Sequence, residues 1–218
     1  MDPVEHQPRL FFDIETLADP AQFELIEEPS APANYKDPDK IAAYVAEKRV
    51  KLVERAGLDP DTATICAVAL LIEGNPPTVM TYFQDTEEAM VQTFWSMLRT
   101  TSGHCVGYNI LRFDLPFLMR RSFALGIKPG IVPDLRRHRD EPVTDLMGIL
   151  FNWDIEATKG LKWVAKRYGI AREPLLDAID GSMVKDLDEP TLRAYVAGDM
   201  STTLELFDKM NSIYFNHA

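Results

Sequence analysis

The feature that most constrains this chain is a set of carboxylates placed beside or within apolar segments far apart in the sequence. Asp13 and Glu15 follow the run Leu10-Phe11-Phe12, Asp114 closes the string Gly107-Tyr108-Asn109-Ile110-Leu111-Arg112-Phe113, and Asp199 falls within the apolar stripe of a helix expected over 189–214. A buried carboxylate costs on the order of several kcal/mol unless a cation or dense hydrogen bonding answers it. A fold that accepts these acids must bring them to a common partner or to the surface.

Local geometry ranks the acids. In a strand alternate side chains share a face, so Phe11, Asp13 and Glu15 project together while Leu10, Phe12 and Ile14 pack the other way. An exposed strand end explains such a pair as well as a site does. Asp114 stands where a strand passes into a helix, and a helix N-cap with Pro116 in the first turn accounts for it locally. Asp199 is harder to explain away. At 100° per residue from Leu192, Val196 falls at about 40°, Thr203 at about 20°, Phe207 at about 60°, Met210 near 0° and Asp199 at about −20°. Tyr195 lies one turn earlier, where a tyrosine is ordinarily core, and Arg193 and Lys209 of the same helix point elsewhere. A cation shared by the three segments is the economical partner. The donors are hard oxygens without histidine or thiolate, which suits Mg²⁺ or Mn²⁺ rather than zinc. Carboxylates arranged for two such ions serve in-line phosphoryl displacement, so phosphodiester hydrolysis is the natural reaction.

Three motifs carry a resemblance. Phe12-Asp13-Ile14-Glu15-Thr16, Tyr108-Asn109-x3-Phe113-Asp114-x-Pro116-Phe117-Leu118 and Tyr195-x3-Asp199-x3-Thr203 resemble, in order and spacing, the Exo I, Exo II and Exo III motifs of DnaQ-like (DEDDy) 3′–5′ exonucleases. They are most similar to those of the exonuclease domain of family B DNA polymerases and its stand-alone relatives. The resemblance implies an α/β, RNase H-like fold: a five-stranded mixed sheet flanked by helices, with the acids gathered at one edge of its centre. It implies two divalent cations, Mg²⁺ or Mn²⁺, held by Asp13, Glu15, Asp114 and Asp199, with Tyr195 orienting the attacking water. It also implies substrate contacts from Asn109, Phe113 and Thr16, and a nucleic-acid substrate with a single-stranded or frayed 3′ end, DNA favoured over RNA. Nucleoside 5′-monophosphates would be the product. At 218 residues the chain has no room for a polymerase domain, so a polymerase or repair partner would act in trans. RNA trimming and a noncatalytic nucleic-acid-binding or polymerase-accessory module remain as alternatives.

The rest of the sequence is consistent with one domain over 1–218, carrying an inserted segment at about 19–61 that begins as Pro/Ala/Glu-rich coil and continues as a charged helix over 38–55. The insertion is expected to border the substrate groove. Strands are expected at 10–16, 62–73, 78–84 and 104–109, a strand turning into a helix at 143–150, and helices at 86–100, 115–126, 159–168 and 189–214. No apolar run is long enough to span a membrane, and the first residues lack the order of a secretory leader, so a cytoplasmic location is expected. Cys66 and Cys105 lie in apolar strand-like runs without a CxxC pattern, which predicts buried free thiols. The net charge of −11 argues against strong nonspecific attraction to nucleic acid and leaves a nucleic-acid enzyme open. The basic clusters Arg120-Arg121, Arg136-Arg137-His138-Arg139 and Lys159, Lys162, Lys166, Arg167 are local, and solvated surface explains any one of them.

Overall fold

Strand propensity is concentrated in β1 (Leu10–Ala18) and β2 (Ala63–Ile72), and the two pair. Arg9 O accepts from Glu73 N at 3.1 Å at one end and Asp19 N donates to Thr62 O at 2.8 Å at the other, so they run antiparallel. A turn at Gly74, with φ +83°, returns the chain into β3 (Thr78–Thr81), antiparallel to β2. β4 (Cys105–Gly107) and β5 (Val143–Asp145) join on the other side of β1, both in parallel register: Phe11 opposes Val106, and Gly107 opposes Asp145. The sheet is therefore five-stranded and mixed, in the order β3-β2-β1-β4-β5, with helices on its faces as expected. The structure is a computed structural model and describes residues 7–215; the chain start, on which the expectation about a leader rests, lies outside them.

The period-two pattern of β1 decides which helix covers which face. Phe12 points to α2 (Glu87–Thr100), where its ring meets Phe94 at 4.9 Å. Phe11 points the other way and meets Phe207 of α7 (Glu189–Tyr214) edge-on at 5.2 Å, with the Arg9 guanidinium 5.4 Å from the same Phe207 ring. Asp13 and Glu15 share the Phe11 face, so they also look towards α7. α3 (Asp114–Leu125) packs on α2, joined by a buried hydrogen bond from Trp95 Nε1 to Ser122 Oγ at 2.7 Å and by the Arg121–Glu87 ion pair at 2.7 Å. Between β5 and α7 come α4 (Leu146–Leu150), α5 (Leu161–Tyr168) and α6 (Pro174–Asp177).

The chain forms two compact units, Thr16–Thr64 and the remainder. Within the first, α1 (Pro38–Glu54) opens on an Asp37 cap that accepts from Asp39 N, and none of its residues is buried. Arg49 pairs with Glu28 at 2.9 Å, and the rings of Tyr35 and Tyr44 meet at 5.6 Å.

Several expected boundaries shift for local reasons. β4 stops at Gly107 because Asn109 adopts φ +69° and breaks the ladder. β3 stops at Thr81, whose N–H donates to Asp85 Oδ2 in a turn. α6 and the 3-10 turn at Gly181–Asp186 are too short for any periodicity to show in the sequence. Cys66 and Cys105 are free and buried, as expected. Among the described residues no helix is long and apolar enough to cross a membrane.

Candidate active site

β1 and α7 build the centre of the site. Phe207 clamps α7 against Phe11, and two turns towards the start of α7 the side chain of Asp199 reaches the acids of β1. One carboxylate oxygen from each of Asp13, Glu15 and Asp199 lies within 4.8 Å of the others. The sequence-based grouping of these three is thus realised in space.

Asp114 joins them by a different route. β1 is nine residues long and β4 only three, so the N–H of Ile14 projects beyond the ladder. Asp114 Oδ1 accepts that N–H at 3.3 Å. Asp114 is not the N-cap of α3, as one local reading allowed: the cap position is Phe113, which makes no side-chain capping bond, and Asp114 is the first helical residue. The residue is 3% exposed. It lies outside the three-acid group but is close enough for its charge to act on Asp13 and Glu15.

Burial is the main force on these acids, and their mutual repulsion adds to it. Asp13 is held well above the usual carboxylate range by burial and then by Asp114, Glu15 and Asp199, with Arg172 opposing. Glu15 is raised by burial, Asp199 and Asp114, with Lys162 opposing. Asp114 is raised by burial against the two backbone N–H groups that favour its charged form, its own and that of Ile14. Tyr195 is 4% exposed, and its phenol is pushed up by burial and then by Glu15, Asp199 and Asp13, so it stays protonated at neutral pH.

Two cations that the helical-face argument did not find belong to the site. Arg172, from the segment between α5 and α6, donates Nη2 to Asp199 Oδ1 at 2.5 Å, Nη1 to Thr202 Oγ1 at 2.8 Å and Nε to Asp177 Oδ1 at 3.2 Å. On its own helix Arg193 pairs with Glu189 and Lys209 with Glu205, and the basic partner of Asp199 arrives from 27 residues upstream. Lys162 of α5 places Nζ 5.9 Å from the Tyr195 ring centroid and donates to the carbonyls of Asp177 and Ile179.

Asp145 also escaped sequence reasoning, although it sits at the end of β5 beside the site's loop. It is 1% exposed, and its carboxylate accepts four backbone N–H groups: Asn109 and Leu111 at 3.0 Å, Met147 at 3.1 Å and Gly148 at 3.2 Å. One side chain therefore caps α4 and fixes the loop that leads to Asp114. An acid at a strand-to-helix junction was the available signal.

The proposed substrate contacts separate. Asn109 is held by that clamp with its Oδ1 buried and unpartnered, and the half-buried Phe113 ring packs on Phe117 at 5.5 Å. Thr16 instead donates its hydroxyl to Gly57 O at 2.6 Å within the other compact unit.

The donor set fits divalent metal. All three clustered ligands are carboxylate oxygens, and packing like charges in a dehydrated site is unfavourable until a cation offsets them. RNase H-like nucleases generally use such ions, and this cluster is able to bind one.

No curated protein matches the sequence. Among solved structures, a family B DNA polymerase from the hyperthermophilic archaeon Pyrobaculum calidifontis is similar, with a TM-score of 0.61 and 22% identity over 94% of this chain. The chain spans 24% of that polymerase, and at this identity the likeness is one of fold. It agrees with the resemblance to DnaQ-like exonucleases read from the motifs. A family model for the RNase_H superfamily matches residues 53–187, which include Asp114 and Asp145 and leave Asp13, Glu15 and Asp199 to the geometry above. With well over half its length so matched and the five-stranded mixed sheet in place, the chain belongs to the RNase_H superfamily.

Proposed function

We propose that this protein is a divalent-cation-dependent 3′–5′ exonuclease that hydrolyses phosphodiester bonds at single-stranded or frayed DNA ends and releases nucleoside 5′-monophosphates. The observation that carries the reading is the convergence of Asp13, Glu15 and Asp199 oxygens within 4.8 Å, with Asp114 buried beside them. Asp13, Glu15 and Asp199 would hold one of two cations, Mg²⁺ or Mn²⁺, and Asp13 and Asp114 would hold the other. Such ions supply Lewis acidity that makes water nucleophilic at neutral pH and positive charge against the developing oxyanion.

The side chains around them have distinct tasks. Tyr195 is a hydrogen-bond donor and not a base, because burial and the acids keep its proton on, and it orients the attacking water. Arg172 holds the Asp199 carboxylate in one orientation. Asn109, whose unpartnered Oδ1 is covered in the free protein, lies in the loop that would meet the terminal nucleotide, and Phe113 offers its ring to the terminal base. Thr16 is the weakest of the substrate contacts, since its hydroxyl already donates to Gly57. A polymerase or repair assembly is the natural source of the 3′ ends. Residues 19–61, which follow the catalytic strand in sequence, limit which ends are accepted.

Hydrolysis of 5′-labelled DNA and RNA with Mg²⁺ or Mn²⁺ tests the reading. Asp13→Ala and Asp199→Ala should each cost about a hundredfold or more in rate. Equal activity in the wild type and both variants would sink it, and preference for RNA would move the substrate class. Replacing 19–61 by a short linker should alter the relative rates on single-stranded, duplex and mismatched ends. Unaltered preferences would remove the segment from substrate selection.

A further inference from the structure

The strongly negative chain carries an uneven distribution of charge. Residues 112–172 hold 12 Lys and Arg against 7 Asp and Glu, although the whole molecule has a net charge of −11. Most of the cations that the described structure brings near an acid are engaged by it. Arg121 is paired with Glu87, Arg136 and Arg139 with Asp134, and Arg172 with Asp199 and Asp177. Arg112 and Arg137 differ. Both are exposed, neither makes an ion pair among the described residues, and both line one small cleft with Trp153 and Thr158. Asp145 lines it too, but its carboxylate is committed to four backbone N–H groups.

The wall of this cleft is built with some strain. Asn152 and Trp153 both take left-handed backbone angles, φ +51° and +62°. This lets Trp153 N–H close on Gly148 O at 2.7 Å and lays the indole over Gly148, where a Cβ would come within 2.5 Å of the ring. The His138 ring meets the indole at 5.2 Å and ties the basic loop 134–139 to the same wall.

Topology sets the cleft beside the acids. β1, β4 and β5 are parallel, so the ends that carry Asp13, Asn109 and Asp145 lie on the same side of the sheet. Arg112 stands two residues before Asp114 in the loop that Asp145 clamps. Two arginines that line one cleft, with its acid Asp145 bonded to backbone N–H groups, leave positive charge that an anion at the cleft mouth would offset.

We infer that Arg112 and Arg137 form a binding site for the sugar-phosphate backbone of the substrate strand, next to the bond that is cut. The inference rests on the nuclease reading and names the residues through which that site grips a polynucleotide. Phosphate is the anion class that fits: a strand ending at the acids carries phosphates at regular intervals, and guanidinium binds each through paired N–H donors. The contact is independent of base identity.

The test uses the full chain and a fluorescent oligodeoxythymidylate, with binding measured by anisotropy over a range of KCl in the Asp13→Ala background. Arg112→Gln and Arg137→Gln should each weaken binding about tenfold and flatten the plot of log affinity against log salt by about one unit of slope. Arg112→Lys should keep the slope, and Arg136→Gln, whose side chain is already paired with Asp134, should match the parent. Wild-type affinity and slope in both glutamine variants would overturn the inference. So would equal competition by polyglutamate, which would assign the patch to an acidic protein partner.

With Asp13 restored, the kcat/KM ratio between the oligonucleotide and the p-nitrophenyl ester of thymidine 5′-monophosphate should fall about tenfold in each glutamine variant. An equal loss on both substrates would place the arginines at the scissile group and not on the strand. Failure of the nuclease reading looks different: the wild type would cleave neither substrate, or Asp13→Ala would cleave both equally well, while the anisotropy arms would still decide the strand site.

Discussion

Asp114 and Asp145 show how little an acid's local sequence says about its task. Both stand at strand-to-helix junctions, and a capping role explains either equally well from sequence alone. Asp145 does cap its helix, and it also binds the preceding loop. Asp114 does not cap; it accepts the N–H of Ile14, 100 residues earlier, which no local pattern reveals. Asp199 was legible because helical angles place it on the buried face from its own neighbours. Arg172 was not, because its contact with Asp199 depends on where the connection after α5 comes to rest. That pair supports a prediction at the same scale. With side chains 6% and 14% exposed, Arg172→Ala leaves Asp199 buried without its partner. It should cost about 3 kcal/mol of stability in chelator-treated protein, read from denaturant midpoints, and Mn²⁺ should recover part of the loss. An unchanged midpoint would mean that the ion pair is immaterial.

At the scale of elements, the long segments were readable almost to their ends. The short strands were placed but β3 and β4 were drawn too long, and α6 and the 3-10 turn at Gly181–Asp186 were not foreseen. α2 and α7 bury a periodic face, β1 and β2 bury runs covered on both faces, and all four appear close to their expected positions. β4 and β5 are three residues each, so their pairing is decided by the neighbouring strands and helices more than by their own composition. Gly107 is the tightest point of this small ladder. A Cβ there would lie 2.3 Å from Ile110 Cγ2 and 3.1 Å from the backbone oxygen of Phe12. The Ile110 side chain has freedom to turn, but the Phe12 carbonyl belongs to the strand that carries Asp13. Gly107→Ala should therefore destabilise the protein by about 1–3 kcal/mol and also weaken Mn²⁺ binding, measured by titration of the folded variant. Loss of stability with wild-type Mn²⁺ affinity would show that the strain does not reach β1.

For the whole molecule, the acids couple stability to pH. Glu15 is pushed up to about 8 from 4.5 by burial and its acidic neighbours, so the folded state holds its proton more tightly than the unfolded chain. The resulting stabilisation is fully present below about pH 4.5 and is lost as pH rises through about 8. In chelator, the melting temperature of the wild type should fall across this window more steeply than that of Glu15→Gln. Added Mn²⁺ should raise it more at pH 8 than at pH 5. Parallel curves for the two proteins, or a metal effect independent of pH, would contradict the assignment. The fold, the three-acid cluster and the buried tyrosine could be anticipated from sequence. The cations around them could not, since surface runs and functional contacts share one composition.

The cluster joins β1 near the start of the chain to α7 near its end, and Phe207 secures that closure by packing on Phe11. During synthesis the β1 acids therefore leave the ribosome long before Asp199 is available to meet them. A nascent chain carries an incomplete acid cluster until α7 has emerged and docked. If the proposed activity holds, the nucleic acids around a translating ribosome meet no complete site until that last helix is in place.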